Sequence, residues 1–157
     1  MSVEPNISIE FPTLPPSENA IRVIRVIRGK VAGMAYTKKA SLYKKEFKQF
    51  IKDNYLVEIQ KLLKTHTHYS VYRVQVELFF TRDQLVNKGW PKTKTFYKKM
   101  DVGNRRKLLE DCLAEVLGAD DSLTFDLRMI KRCGTPGLSI DITQLDSAEE
   151  YGIPIKK

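Results

Sequence analysis

The chain is expected to fold as a single α+β domain, and three observations predict it. Apolar residues recur at helical spacing in two stretches, Leu42 to Leu63 and Leu108 to Leu117. Short runs that alternate apolar and polar residues, or are rich in valine and isoleucine, lie between these stretches and on both sides of them. No internal repeat and no linker divides the chain. With 157 residues, 42% of them apolar and 29% charged, it can bury one core and has a globular rather than a disordered composition. The domain is expected over residues 1–145, with 146–157 as a mostly polar C-terminal tail.

Residues Ile7 to Phe11 (I-S-I-E-F) alternate in polarity, which predicts a short strand ending at Pro12. Thr13 to Asn19 is a turn stiffened by Pro15 and Pro16, which restrict φ and lack an amide donor. A strand from Ile21 to Ile27 meets Gly29-Lys30, and Val31 to Tyr36 returns as its hairpin partner. Thr37 is placed to cap a helix that runs to Lys64. Its apolar positions include Leu42, Tyr43, Phe47, Ile51, Ile59 and Leu62, and a break is expected near Asp53-Asn54. His66 and His68 in the connection T-H-T-H have no third ligand nearby, so a polar loop explains them better than a metal site. Val71 to Phe80 predicts a strand with Val74, Val76, Leu78 and Phe80 on one face. A second helix is expected from Gly103 to Leu117, burying Leu108, Leu109, Cys112, Leu113, Val116 and Leu117. Phe125 to Lys131 and Leu138 to Thr143 read as strands joined by a turn at Gly134 to Gly137. In the tail, Tyr151, Ile153 and Ile155 can dock on a partner.

The formal charge of +8 points toward a polyanionic partner, although many basic proteins bind none. Its distribution strengthens the inference. Between Gln84 and Met100 there is no acidic residue, while Lys88, Lys92, Lys94, Lys98 and Lys99 fall there, and Arg105, Arg106 and Lys107 follow. Trp90, Phe96 and Tyr97 are interleaved with these lysines, either as stacking surfaces beside phosphate-binding charges or as anchors of a solvated loop. No apolar run approaches the roughly 20 residues that span a bilayer, so no membrane role is expected. The start MSVEPNISIE lacks the features of a signal peptide, and Cys112 and Cys133 suggest neither a disulfide framework nor a zinc site. A reducing, cytoplasmic setting is expected.

Against this basic background the carboxylates of one segment stand out. Asp101 precedes the second helix, Asp120-Asp121 follows it, and Asn104, Lys107 and Asp111 share one helical face. Each has a plain explanation: an i,i+4 ion pair for Lys107–Asp111, a charge favourable to the helix dipole for Asp101, and a turn for Asp120-Asp121. Together they also form an acidic cluster of the kind a hard divalent ion relieves, because Mg²⁺ takes one or two carboxylates and completes its shell with water and phosphate.

The run D-V-G-N-R-R-K-L-L-E-D-C-L from Asp101, then A-D-D-S, then Lys131, resembles the signature of the RusA-like Holliday junction resolvases. That signature is D-x-D-N-x-x-K-x-x-x-D-x-L, a following Asp-Asp, and a lysine on the next strand. Pro15 to Asn19 (P-P-S-E-N) is similar to the family's P-P-S-x-N element, so the resemblance covers about Ile7 to Thr143. The fold it implies is a mixed β-sheet with two main helices packed on one face. It implies catalytic roles for Asp101, Lys107 and Asp121, metal ligation by Asp101, Asp120 and Asp121, and support from Asn104, Asp111 and Lys131. It implies a homodimer that resolves four-way or branched DNA junctions by Mg²⁺-dependent hydrolysis, with Mn²⁺ as a substitute, in a bacterial or phage-infected cell. Lys92, Lys94, Lys98, Lys99, Arg105 and Arg106 are the expected contacts to DNA phosphates. One position departs from the signature: the second aspartate is Gly103 here. Either another acid substitutes (Asp120, Asp111 or Glu77), or the nuclease is weakened, or the change inactivates it. Gly103 thus leaves a non-catalytic binder of branched DNA as one alternative, and the basic aromatic loop alone would permit another, a small RNA-binding or ribonuclease module.

Overall fold

The computed structural model describes residues 5–16, 22–27, 29–118 and 120–155, with the backbone alone at 22–27, 30–36 and Asn104. The architecture is α+β, with a mixed sheet as expected. Strands β1 (Ile7–Phe11), β4 (Val71–Phe80), β5 (Thr124–Cys133) and β6 (Gly137–Leu145) form one sheet in the order β1-β6-β4-β5. The β1/β6 and β6/β4 pairs are antiparallel, whereas β4 and β5 are parallel. Strands β2 (Arg22–Ile27) and β3 (Lys30–Tyr36) form a separate antiparallel pair, the expected hairpin. The helices are α1 (Lys38–Thr65), the short α2 (Arg82–Leu85) and α3 (Arg106–Leu117).

Two compact units are distinguished. The first comprises Met1–Leu14, Val57–Val102 and Ser122–Lys157 and holds the four-stranded sheet. Its interior follows from period-two patterning. Ile7, Ile9 and Phe11 of β1 are buried while Ser8 and Glu10 are exposed, and Val74, Val76, Leu78 and Phe80 of β4 are all buried. Register aligns them into rows: Ile9 faces Ile140, Ile140 faces Val76, and Val76 faces Met129. Burying each such aliphatic side chain contributes about 1.5–3 kcal/mol. The last turn of α1 is tied to the sheet through Gln144, whose amide donates to the Leu62 carbonyl at 3.0 Å and whose oxygen accepts from Thr65 at 2.6 Å. A helix-end carbonyl is thereby satisfied.

The second unit, Pro15–Leu56 and Gly103–Asp121, holds the hairpin, most of α1, and α3. Thr37 caps α1 as expected, its hydroxyl accepting from the Ala40 amide at 3.2 Å. Glu115 of α3 accepts from Lys48 at 3.1 Å and pairs with Lys44 at 3.6 Å, joining α3 to α1. Beside them, burial pushes the Cys112 thiol up to about 12, so it behaves as a core residue rather than a nucleophile.

Three expectations require correction. Helix α1 is unbroken at Asp53-Asn54, because these side chains are satisfied on the helix surface. Gln49 donates to Asp53 at 2.9 Å, and Asn54 donates to the Phe50 carbonyl at 2.9 Å. Leu42 is 55% exposed, because it falls outside the i, i+4 row of Tyr43, Phe47 and Ile51 that α1 buries. The second helix begins at Arg106 rather than Gly103; Val102–Arg105 forms a 3-10 turn, and the N-cap residue Arg105 makes no side-chain cap hydrogen bond. Glycine's high helix cost and the missing cap favour that tighter entry. After β6, Arg73 of β4 donates to Glu150 at 2.6 Å and to the Tyr151 hydroxyl at 3.2 Å. Tyr151 itself donates to Asp126 at 3.0 Å.

Strands β5 and β6 do not pair with each other but flank β4. The Gly134–Pro136 connection bridges them, and Gly137 starts β6 at φ +151°, where a Cβ would stand 3.0 Å from the Phe11 carbonyl oxygen. Gly137→Ala should therefore destabilise the protein by about 1–3 kcal/mol, read as a lower urea midpoint with an unchanged slope.

Candidate active site

The parallel pairing of β4 with β5 dictates where the candidate residues lie. A chain leaving β4 at Phe80 must return to the opposite end, where Tyr72 pairs with Thr124. Such a return needs a long crossover. Here it is residues 81–123, and it carries Asp101, Lys107, Asp111, Asp120 and Asp121.

At its C-terminal end α3 stops at Gly118, which adopts the left-handed conformation at φ +63°. The chain then turns back so that Asp121, which opens the 3-10 turn Asp121–Leu123, meets Lys107 one end of the helix away. The Lys107 ammonium lies 3.2 Å from Asp121 Oδ2 and 3.3 Å from Asp111 Oδ1. An i,i+4 pair alone would be a local feature; the third member makes it a constellation built from two segments. All three side chains keep partial access to solvent, at 37% for Lys107, 23% for Asp111 and 35% for Asp121. The group is thus accessible to a substrate while its charges remain partly screened.

Asp120 is exposed next to Asp121. Asp101 is exposed just ahead of the Val102–Arg105 turn, in the unit that holds the sheet. There Lys131 of β5 donates to the Met100 carbonyl at 2.8 Å, pinning the backbone that leads into Asp101. The side chain of Asn104 and the stretch Ser17 to Ile21 lie outside the described residues, as does Arg28. Among the described residues no group of three or more His, Cys, Asp or Glu is assembled to hold a metal. Glu77, one of the acids weighed against Gly103, is held by Arg132 at 2.5 Å and accepts from Gln75 at 3.4 Å. His66 makes a 2.8 Å hydrogen bond with the Tyr72 hydroxyl, as a structural loop residue would.

The basic residues divide into two kinds. Arg105 is partly buried and donates to the Pro15 carbonyl, which ties the start of the proline turn to the entry of α3; burial lowers its pKa. Arg106 is exposed and pairs loosely with Glu110 at 3.8 Å, and Lys92, Lys94, Lys98 and Lys99 are exposed on the loop after α2. That loop is ordered by its own hydrogen bonds. The Asn87 backbone amide donates to the Phe96 carbonyl, the Lys98 amide donates to the Leu85 carbonyl, and Val86 bridges to Tyr97. A groove of about 540 Å³ opens beside it, lined by Arg82, Leu85, Val86, Phe96, Tyr97 and Lys131. Neither the groove nor Arg82 was legible in the sequence, because α2 is too short to show a period.

A lysine shared by two carboxylates on a crossover, with an exposed lysine-rich loop on the same connection, suits a protein that acts on a nucleic-acid backbone. The family model for endodeoxyribonuclease RusA matches residues 15–143, and the chain belongs to that family. Membership implies nuclease activity of the Holliday junction resolvase kind, directed at branched DNA. No curated protein matches the chain. Among the described residues no helix is long and apolar enough to cross a membrane.

Because Lys107 and its partners are partly solvated, their ion pairs add little to folding. Lys107→Met is expected to lower stability by no more than about 1 kcal/mol, checked by urea denaturation followed by circular dichroism.

Proposed function

We propose that this protein is a Mg²⁺-dependent endodeoxyribonuclease that resolves four-way or branched DNA junctions by paired phosphodiester hydrolysis. The observation that carries this reading is Lys107 held between Asp111 and Asp121 on the crossover of a RusA-family chain. Held this way, the ammonium serves two ends. It orients the Asp121 carboxylate, and it keeps a point charge near where a scissile phosphate would gain negative charge. Asp111, one turn along α3, limits the positions that ammonium can take.

The donor set suits Mg²⁺. Carboxylate oxygens are hard ligands, and Mg²⁺ uses only one or two of them, so a three-acid cage is not required. One or two of Asp101, Asp121 and the exposed Asp120 would hold the ion, and Mn²⁺ would substitute. When bound, Mg²⁺ supplies Lewis acidity toward the phosphate and lowers the pKa of water. Since Arg132 engages Glu77, Asp120 is the better stand-in for the carboxylate missing at Gly103.

Lys92, Lys94, Lys98, Lys99 and Arg106 would contact backbone phosphates and so select shape rather than sequence. Arg105 would contribute mainly through its hold on Pro15. A junction of approximate two-fold symmetry calls for a two-fold protein, so we assign a homodimer acting in a bacterial or phage-infected cytoplasm. Gly103 favours one other reading on the same scaffold, a weakened or inactive protein that grips branched DNA without cutting it.

Asp101→Asn and Asp121→Asn are each expected to reduce Mg²⁺-dependent cutting of a synthetic four-way junction by on the order of 10²–10³. Junction affinity in gel shifts should be kept or tightened, because repulsion of phosphate falls. Normal cutting by both variants would remove this site from consideration. Gly103→Asp separates the two readings. A faster rate means a weakened site regains its ligand, and an unchanged or slower rate means Asp120 already fills the role.

A further inference from the structure

The loop between β4 and α3 has a property that phosphate binding does not require. It holds large aromatic rings in solvent on a well-ordered backbone. Tyr97 is 69% exposed and Trp90 is 50% exposed. The rings are nevertheless set against each other. Trp90 and Phe96 meet edge to face at 6.2 Å, and Phe96 and Tyr97 do so at 5.0 Å. Their backbone is clamped from below: the Asn87 amide donates to the Thr95 and Tyr97 carbonyls at 2.8 and 3.3 Å, and the Thr95 hydroxyl donates to the Tyr97 carbonyl at 2.7 Å. An exposed ring that costs no further ordering is suited to stacking on a flat partner.

The groove of about 540 Å³ beside this loop is lined by Phe96 and Tyr97, by apolar Leu85 and Val86, and by the cations Arg82 and Lys131. Its size lies within the range of small-molecule sites. Lys131 also connects the groove to the backbone that leads into Asp101, since it donates to the carbonyl of Met100. Flat apolar surface, flanking positive charge and proximity to Asp101 define the occupant chemically: a planar heteroaromatic ring carrying a phosphate.

We infer that this groove receives an unpaired nucleobase from the branch point of a DNA junction, stacked on Tyr97, with its phosphate facing Arg82 and Lys131. The inference rests on the junction-directed reading above and deepens it, because a base pair at the branch point lacks a stacking neighbour and opens at lower cost than one inside a continuous duplex. Stacking then adds a preference for the branch point itself to the shape selection by the exposed lysines. Base–aromatic stacking is worth about 1–3 kcal/mol per base, or roughly 5- to 150-fold in affinity.

The test compares a four-way junction with a linear duplex in metal-free buffer, so that no strand is cut. The natural chain should prefer the junction. Tyr97→Ala should lose roughly 5- to 150-fold in junction affinity with duplex affinity unchanged, and Tyr97→Phe should retain the preference. A 5-iododeoxyuridine at the branch point should crosslink on irradiation to the peptide containing Phe96 and Tyr97. The inference is overturned if Tyr97→Ala keeps the natural junction preference, if it weakens junction and duplex equally, or if the crosslink maps elsewhere. A natural chain with no junction preference overturns the functional reading as well, which separates the two failures.

Discussion

The parallel pairing of β4 with β5 is the constraint on which the rest of this structure depends. Antiparallel neighbours can be joined by a tight turn, but parallel ones oblige the chain to travel the length of the sheet before it re-enters. Residues 81–123 make that journey and carry the exposed lysines, the aromatic loop, α3 and every acidic residue of the candidate site except Glu77. Strand β4 can anchor such an excursion because it is paired on both sides and its alternate residues Val74, Val76, Leu78 and Phe80 are buried. Rigid strands thus support a connection free to diversify, a division of labour common where loops carry function.

Within that connection, electrostatics rather than packing organises the chemistry. The Lys107 ammonium lies within 3.3 Å of Asp111 and 3.2 Å of Asp121 and so offsets the repulsion between their charges. Partly exposed ion pairs of this kind contribute little to folding, so the arrangement is not needed to hold the fold together. The same economy applies to Lys131, which is spent on the Met100 carbonyl rather than on an acid.

The parts of the molecule read correctly from sequence are those with a strong local period. β1 and β4 showed themselves through alternating buried residues, and α3 through Leu108, Leu109, Cys112, Leu113 and Leu117. Features that depend on distant partners were not legible. Nothing local says that β5 pairs with β4 rather than with β6 across the Gly134–Pro136 turn, and nothing in the tail announces that Arg73 will hold Glu150 and Tyr151. The Asp53-Asn54 pair resembled a helix break because short polar side chains often compete with the backbone; here they bond along the helix and reinforce it. The motif from Asp101 to Asp121 was legible by resemblance, but the second carboxylate of Lys107 required the turn after Gly118. Arg105, grouped with the DNA-binding cations by its charge, also serves as a tether to Pro15.

The position of β5 at the margin of the sheet carries one more consequence. An open strand margin offers unsatisfied amides and carbonyls to any passing chain, and proteins blunt that hazard with charge. Here the margin bears Arg128, Lys131 and Arg132, all exposed. Such a fringe of like charges discourages edge-to-edge self-association, and if two copies assemble, this margin is an unfavourable place for them to join strand to strand.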